Sequence, residues 1–179
     1  MNHSLRVAFC SVMAAVSVTL MFLGGIIPIG TYAFPALAGI PQIAIVIELG
    51  TNWAWPTYIA VSILSVFLAA DKEAVLWYIL FFGCYPIVKA KIEKRRKKLS
   101  ATVLKFAFFN ATAIAEFYLA MWILKVPVSS YTIFGVQMPW LFLAVGNFVF
   151  ALYDYALSLL TVGYCRKIHP NAEKWLHIH

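Results

Sequence analysis

Charge is scarce in this chain. Only 12% of its 179 residues are Asp, Glu, Lys or Arg, while 63% are hydrophobic. Soluble domains carry about 25% charged residues. A water-soluble fold of this length would have too little polar surface to cover itself. The scarcity excludes a soluble domain and points to a polytopic membrane protein. Acids are scarcer than bases, 7 against 14, for a formal net charge of +7. In a soluble chain that excess would suggest nucleic acid. Here the tendency of basic loops to stay cytoplasmic accounts for it, and no nucleic-acid partner is expected.

Reactive and metal-binding residues are sparse as well. Cys10, Cys84 and Cys165 stand far apart with no CxxC spacing, which excludes a disulfide framework and a thiolate metal site. His3, His169, His177 and His179 all lie in the tails. No buried Ser–His pair or histidine metal site is therefore available among the apolar segments. There is no HExxH, no P-loop and no glycine-rich nucleotide fingerprint. The chain is expected to be no enzyme, with no catalytic residue, metal or cofactor of its own. Any ATP hydrolysis falls to partner subunits.

What is present is organised around one basic run. Residues 89–98 hold 7 of the 14 Lys and Arg residues against a single acid, Glu93. Flanked by long apolar stretches, the run reads as a cytoplasmic loop at the membrane edge. No charged side chain occurs between residues 7 and 47. As helix that length is about 60 Å, two crossings of a core about 30 Å thick. Gly24, Gly25, Pro28 and Gly30 supply the break between them. Continuing along the chain, spans are expected at about 5–27, 35–50, 53–70, 74–92, 100–125 and 138–166. Pro86 marks a kink in the fourth, and Asp71 an N-cap before it. The reading is an all-α membrane protein over residues 1–168, a six-helix bundle with both termini cytoplasmic. A short cytoplasmic tail, 169–179, follows. With this topology Arg6, Lys105, Arg166, Lys167 and Lys174 join the basic run inside, and only Lys72 and Lys125 fall outside. The split is 12 to 2.

Two patterns carry functional expectations. In the first helix Ser4, Ala8, Ser11, Ala15 and Thr19 form one small-residue stripe, fit for close approach by another helix. Packing within the bundle and docking to a separate membrane subunit both remain open. The second pattern is three acids within spans, Glu48, Glu116 and Asp154, which are expensive there and usually face a partner or cavity. Glu48 is expected at the interface or paired with the basic loop. Asn147 shares a helix face with Asp154, and Asn110 is expected to tie helices together. Glu116 and Asn147 are placed in the outer half, open to either ligand binding or helix tying. Aromatic side chains near the outer loops, Tyr32 and Trp77 among them, suit a planar ligand. Gln137 lies in a polar outer loop. The candidate ligand contacts are thus Glu116, Asn147, Asp154, Tyr32, Trp77 and Gln137.

The small-residue first helix, the glycine- and proline-rich connection 24–35, the polar third and fifth loops and the basic inner loop together resemble the substrate-binding S component of energy-coupling factor (ECF) transporters. The resemblance covers roughly residues 5–166. It implies capture of a small water-soluble micronutrient such as a vitamin from outside, between the outer loops and helices four to six, with the first loop closing over it. It also implies a coupling transmembrane subunit and two cytoplasmic ATPase subunits as partners, in the plasma membrane. The family's Ala-xxx-Ala docking motif has its nearest counterpart in Ser11–Val12–Met13–Ala14–Ala15, with serine at the first place and Ala8 one turn before. The alternative is a non-transport membrane scaffold of the cell-shape or sporulation type, whose polar residues only pack helices.

Overall fold

A computed structural model describes residues 3–27, 30–95, 98–123, 132–133, 136–137 and 139–170. The chain passes back and forth six times as helix. The first pass is α1, His3–Gly24. The second is broken into α2, Ala33–Ala38, and α3, Ile40–Glu48. The third is α4, Thr51–Leu68. The fourth joins α5, Lys72–Trp77, through a π-helical turn, Tyr78–Phe82, to α6, Tyr85–Arg95. The fifth is α7, Lys98–Ile123, and the sixth is α8, Pro139–Lys167. Two-residue strands, β1 at Thr132–Ile133 and β2 at Val136–Gln137, pair antiparallel between α7 and α8, within the segment expected to be loop.

Four helical stretches are long and apolar enough to cross a membrane: His3–Gly24, Lys72–Lys94, Leu99–Ile123 and Leu143–Lys167. The second pass, Ala33–Glu48, is apolar but shorter. Large side chains face outward, with Phe67 79% and Trp122 83% exposed. Such side chains would be a liability in water and are at home in lipid.

Each interruption has a local cause. Pro41 suits the first turn of α3, where its missing N–H is not needed. Gly39, between α2 and α3, meets the Phe82 carbonyl so closely that a Cβ there would collide with it. Gly50 opens α4 with φ +83°, a left-handed conformation that favours glycine. Asp71 caps α5 as expected, its Oδ1 accepting from the N–H groups of Glu73 at 3.0 Å and Ala74 at 3.1 Å. The irregularity expected at Pro86 begins earlier, in the π turn. Proline has no N–H to offer the carbonyl four residues back, which is that of Phe82. The widened turn is closed by Gly83 N–H to Tyr78 O at 2.8 Å. Tyr58 OH donates to Ile79 O at 2.6 Å, and the Cys84 thiol reaches the carbonyls of Leu80 and Phe81. Side chains thus take the carbonyls that the π turn displaces.

Packing divides into three clusters. Met21, Ala38, Val61, Val75 and Tyr78 join α1, α2, α4 and α5. Phe81, Tyr85, Phe109 and Phe150 form an aromatic core between the fourth, fifth and sixth passes. In it the Phe109 and Phe150 rings stack at 4.8 Å and 9°. Cys10, Ile45, Ala54 and Ile87 fill the end nearest the basic run. That end is the basic end below, and the end carrying Asp71 the acidic end.

Candidate functional site

Three groups of polar side chains inside the bundle bear on the expected site. At the acidic end, the connection after α1 is strapped to the start of α5. Thr31 Oγ1 donates to Asp71 Oδ2 at 2.8 Å, and Tyr32 OH donates to Glu73 Oε1 at 3.0 Å. The Tyr32 ring meets Trp77 edge-on at 5.8 Å. Phe109, Ala113, Glu116 and Ala120 follow each other by four, three and four residues on α7. That spacing puts them on one face, turned inward. Glu116 is only 3% exposed, and its Oε1 has no hydrogen-bond partner among the described residues. Glu73, in the first turn of α5, is the other carboxylate beside Asp71 at this end. Lys72 gives no relief, since its Nζ donates to the carbonyls of Val66 and Ala69 at 2.8 Å each, at the C-terminal end of α4. Trp77 Nε1 also has no partner among the described residues, and its ring packs on Phe82.

The middle level is an amide pair. Asn110 Nδ2 donates to Asn147 Oδ1 at 2.8 Å, and Asn147 Nδ2 returns a bond to Asn110 Oδ1 at 2.9 Å. Each amide also reaches the carbonyl one turn back, Phe106 or Leu143. Asn110 is therefore a helix tie, as expected. The pair also puts Asn147, expected in the outer half, level with Asn110. Glu116 lies six residues from Asn110, about 9 Å nearer the acidic end.

The basic-end level is an ion network. Asp154 on α8 pairs with Lys89 on α6 through Oδ1 and with Lys105 on α7 through Oδ2. Both lysines also pair with Glu93. Tyr85 OH donates to Asp154 Oδ1 at 2.6 Å, and Lys89 Nζ donates to Ser158 Oγ at 2.8 Å. Lys89 and Lys105, expected on the cytoplasmic side with the basic run, are 5% and 8% exposed. Counting charge per loop hid them. The Lys89–Glu93 and Asp154–Ser158 spacings of four residues were the signal available. Glu48 lies at the same end, but its described partner is His169, with Oε1 to Nδ1 at 3.0 Å, instead of the basic loop.

The six candidate ligand contacts are thus not brought together as one set. Glu116 and Trp77 keep unpartnered polar atoms, and Tyr32 joins the acidic-end level through Glu73. Asn147 is engaged at the middle level and Asp154 at the basic end. The backbone of Gln137 lies in β2, and its side chain is outside the described residues. Ser4, Ala8, Ser11, Ala15 and Thr19 are all exposed, while Cys10, Ser17, Met21 and Gly24 bury the opposite face of α1. The stripe therefore does not pack within the bundle. The acidic-end level offers a carboxylate acceptor, an indole N–H and aromatic walls. Among the described residues no group of three or more His, Cys, Asp or Glu could hold a metal ion. No protein-family model, curated protein or solved structure matches the chain.

Proposed function

We propose that this membrane protein is the substrate-capture subunit of an ECF-type importer for a small water-soluble micronutrient such as a vitamin. It works with a separate coupling transmembrane subunit and two cytoplasmic ATPase subunits. All six passes cross the plasma membrane, with the termini and the basic end cytoplasmic and the acidic end outside. The observation that carries the reading is Glu116, a carboxylate buried under the acidic end with an oxygen left without a partner among the described residues. A buried polar atom in that state is stabilised by whatever can hydrogen-bond to it. With Asp71 and Glu73 also at this end and Lys72 bonded to the carbonyls of α4, the site favours a neutral or cationic solute over an anion. Trp77 and Tyr32 supply ring surface and Trp77 an indole N–H, the usual make-up of a small-molecule site. The Thr31–Asp71 and Tyr32–Glu73 bonds support the first connection as the cover over that site. The exposed stripe at Ala8, Ser11 and Ala15 supports docking of the coupling subunit.

The amide pair and the ion network favour the second reading, a membrane scaffold whose polar residues only join helices. One experiment separates the two. Tagged protein, gently solubilised from its native membrane, is expected to co-purify with a coupling subunit, ATPase subunits and a bound small molecule. Recovery of the chain with none of these supports the scaffold.

A further inference from the structure

A cavity of about 750 Å³ lies at the basic end, between the α3–α4 junction and α6, well away from Glu116. Its walls are of two kinds. Val46, Leu49 and Ala90 make an apolar side. Lys91 and Lys94 make a cationic one, with the Lys91 ammonium held 5.3 Å from the centre of the Trp55 ring. Among the described residues no carboxylate lines it. The acid between the two lysines, Glu93, is drawn to Lys89 and Lys105. Glu48, at the end of α3, is paired with His169, and its side chain is fully buried. The cavity is thus a site of positive charge with its own acids turned elsewhere. The backbone adds to this. Gly50, Thr51 and Asn52 line the cavity where α4 begins with no side-chain cap. The Gly50 carbonyl accepts the N–H groups of Trp53 and Ala54 at 3.3 Å each. The N–H groups at the very start of a helix have no intrahelical partner and favour an anion.

We infer that this cavity binds the phosphate group of an anionic phospholipid from the leaflet at the basic end. The lysines and the start of α4 take the phosphate, while Val46, Leu49 and Ala90 take the apolar part. The volume falls within the range of about 300–1,000 Å³ usual for small-molecule sites. The apolar side argues for a lipid over a free phosphate, which would leave that wall unused. Basic pockets between spans are a recurrent way of holding anionic head groups.

The test uses the full chain in nanodiscs, with phosphatidylglycerol and phosphatidylcholine competing and the retained lipid read by native mass spectrometry. The wild type is expected to retain phosphatidylglycerol preferentially. Near a membrane surface each lysine contributes about fivefold to anionic-lipid binding, so K91Q/K94Q is expected to lower the preference about 25-fold. K91R/K94R, which keeps the charge, should retain most of it. R166Q/K167Q, which removes the same charge at the exposed end of α8, should leave it unchanged. Equal loss in K91Q/K94Q and R166Q/K167Q would mean a general basic surface and overturn the site. Protection of the cavity by inorganic phosphate alone, equally in phosphatidylcholine discs, would overturn the lipid as its source. No preference in the wild type overturns the inference altogether.

Discussion

At the scale of single residues, buried polar groups divide into those whose partners are met and those that keep an atom without one among the described residues. Asn147 places both amide hydrogens on acceptors, whereas Glu116 keeps an oxygen without a partner among the described residues. The two should respond differently to substitution. Glu116→Gln is expected to weaken binding of the captured solute at least tenfold, or about 1.4 kcal/mol, with little change in thermal stability. Asn147→Ala should do the reverse, lowering the melting temperature through the Asn110 pair while the isolated protein still binds. Calorimetry with the co-purified ligand, beside a melting curve for each variant, reads both. A Glu116→Gln protein that binds normally and melts early would make Glu116 another helix tie.

Elements show how a sequence pattern acquires a direction. The α1 stripe is legible as spacing, but spacing does not say which way a helix is turned. Burial of Ser17 and Met21 on the other face turns the stripe outward, and the Ser17 hydroxyl fixes that face by donating to Ala38 O at 2.9 Å. Ala15→Trp should therefore leave the isolated bundle folded, since Ala15 is exposed, and should block assembly with the coupling subunit by preventing close helix approach. A pull-down through the tagged variant measures this, and undiminished recovery of the partner would remove α1 as the docking face. The fourth pass teaches a related point. Its proline announced a break, but the break spreads over a π turn because Tyr58, Cys84 and Gly39 accommodate the displaced carbonyls.

For the whole molecule, the ion network joins the fourth, fifth and sixth passes at the basic end. Its two lysines face two acids, so the group is neutral only while complete. Asp154→Asn leaves both lysines with Glu93 alone. Removing one partner of a buried pair typically destabilises by about 3–5 kcal/mol. A large fall in melting temperature is expected for Asp154→Asn, with part of it restored by adding Lys89→Met, which removes the uncompensated charge. If the double variant melts no higher than the single one, the network is not acting as a charge-balanced unit. Topology has its own check. In a cysteine-free background, a single cysteine at position 97 should react with a membrane-impermeant reagent only after the cells are opened, and labelling of intact cells would invert the proposed orientation.

Composition and hydropathy were enough to determine that the chain is largely helical and that several of its helices are long and apolar enough to cross a membrane. Those properties depend on local runs of side chains, and each run can be read without knowing its neighbours. The expected N-cap at Asp71 was legible for the same reason, because a cap bonds within its own turn. Partnership was not legible. Asp154 with Lys89 and Lys105, Asn110 with Asn147, Glu48 with His169 and Tyr32 with Glu73 are joined across 37 to 121 residues of chain. Whether a buried charge is satisfied depends on what another helix brings to the same depth and rotation. Only the packed bundle decided that, leaving an oxygen of Glu116 unpartnered among the described residues and turning the α1 stripe away from the core.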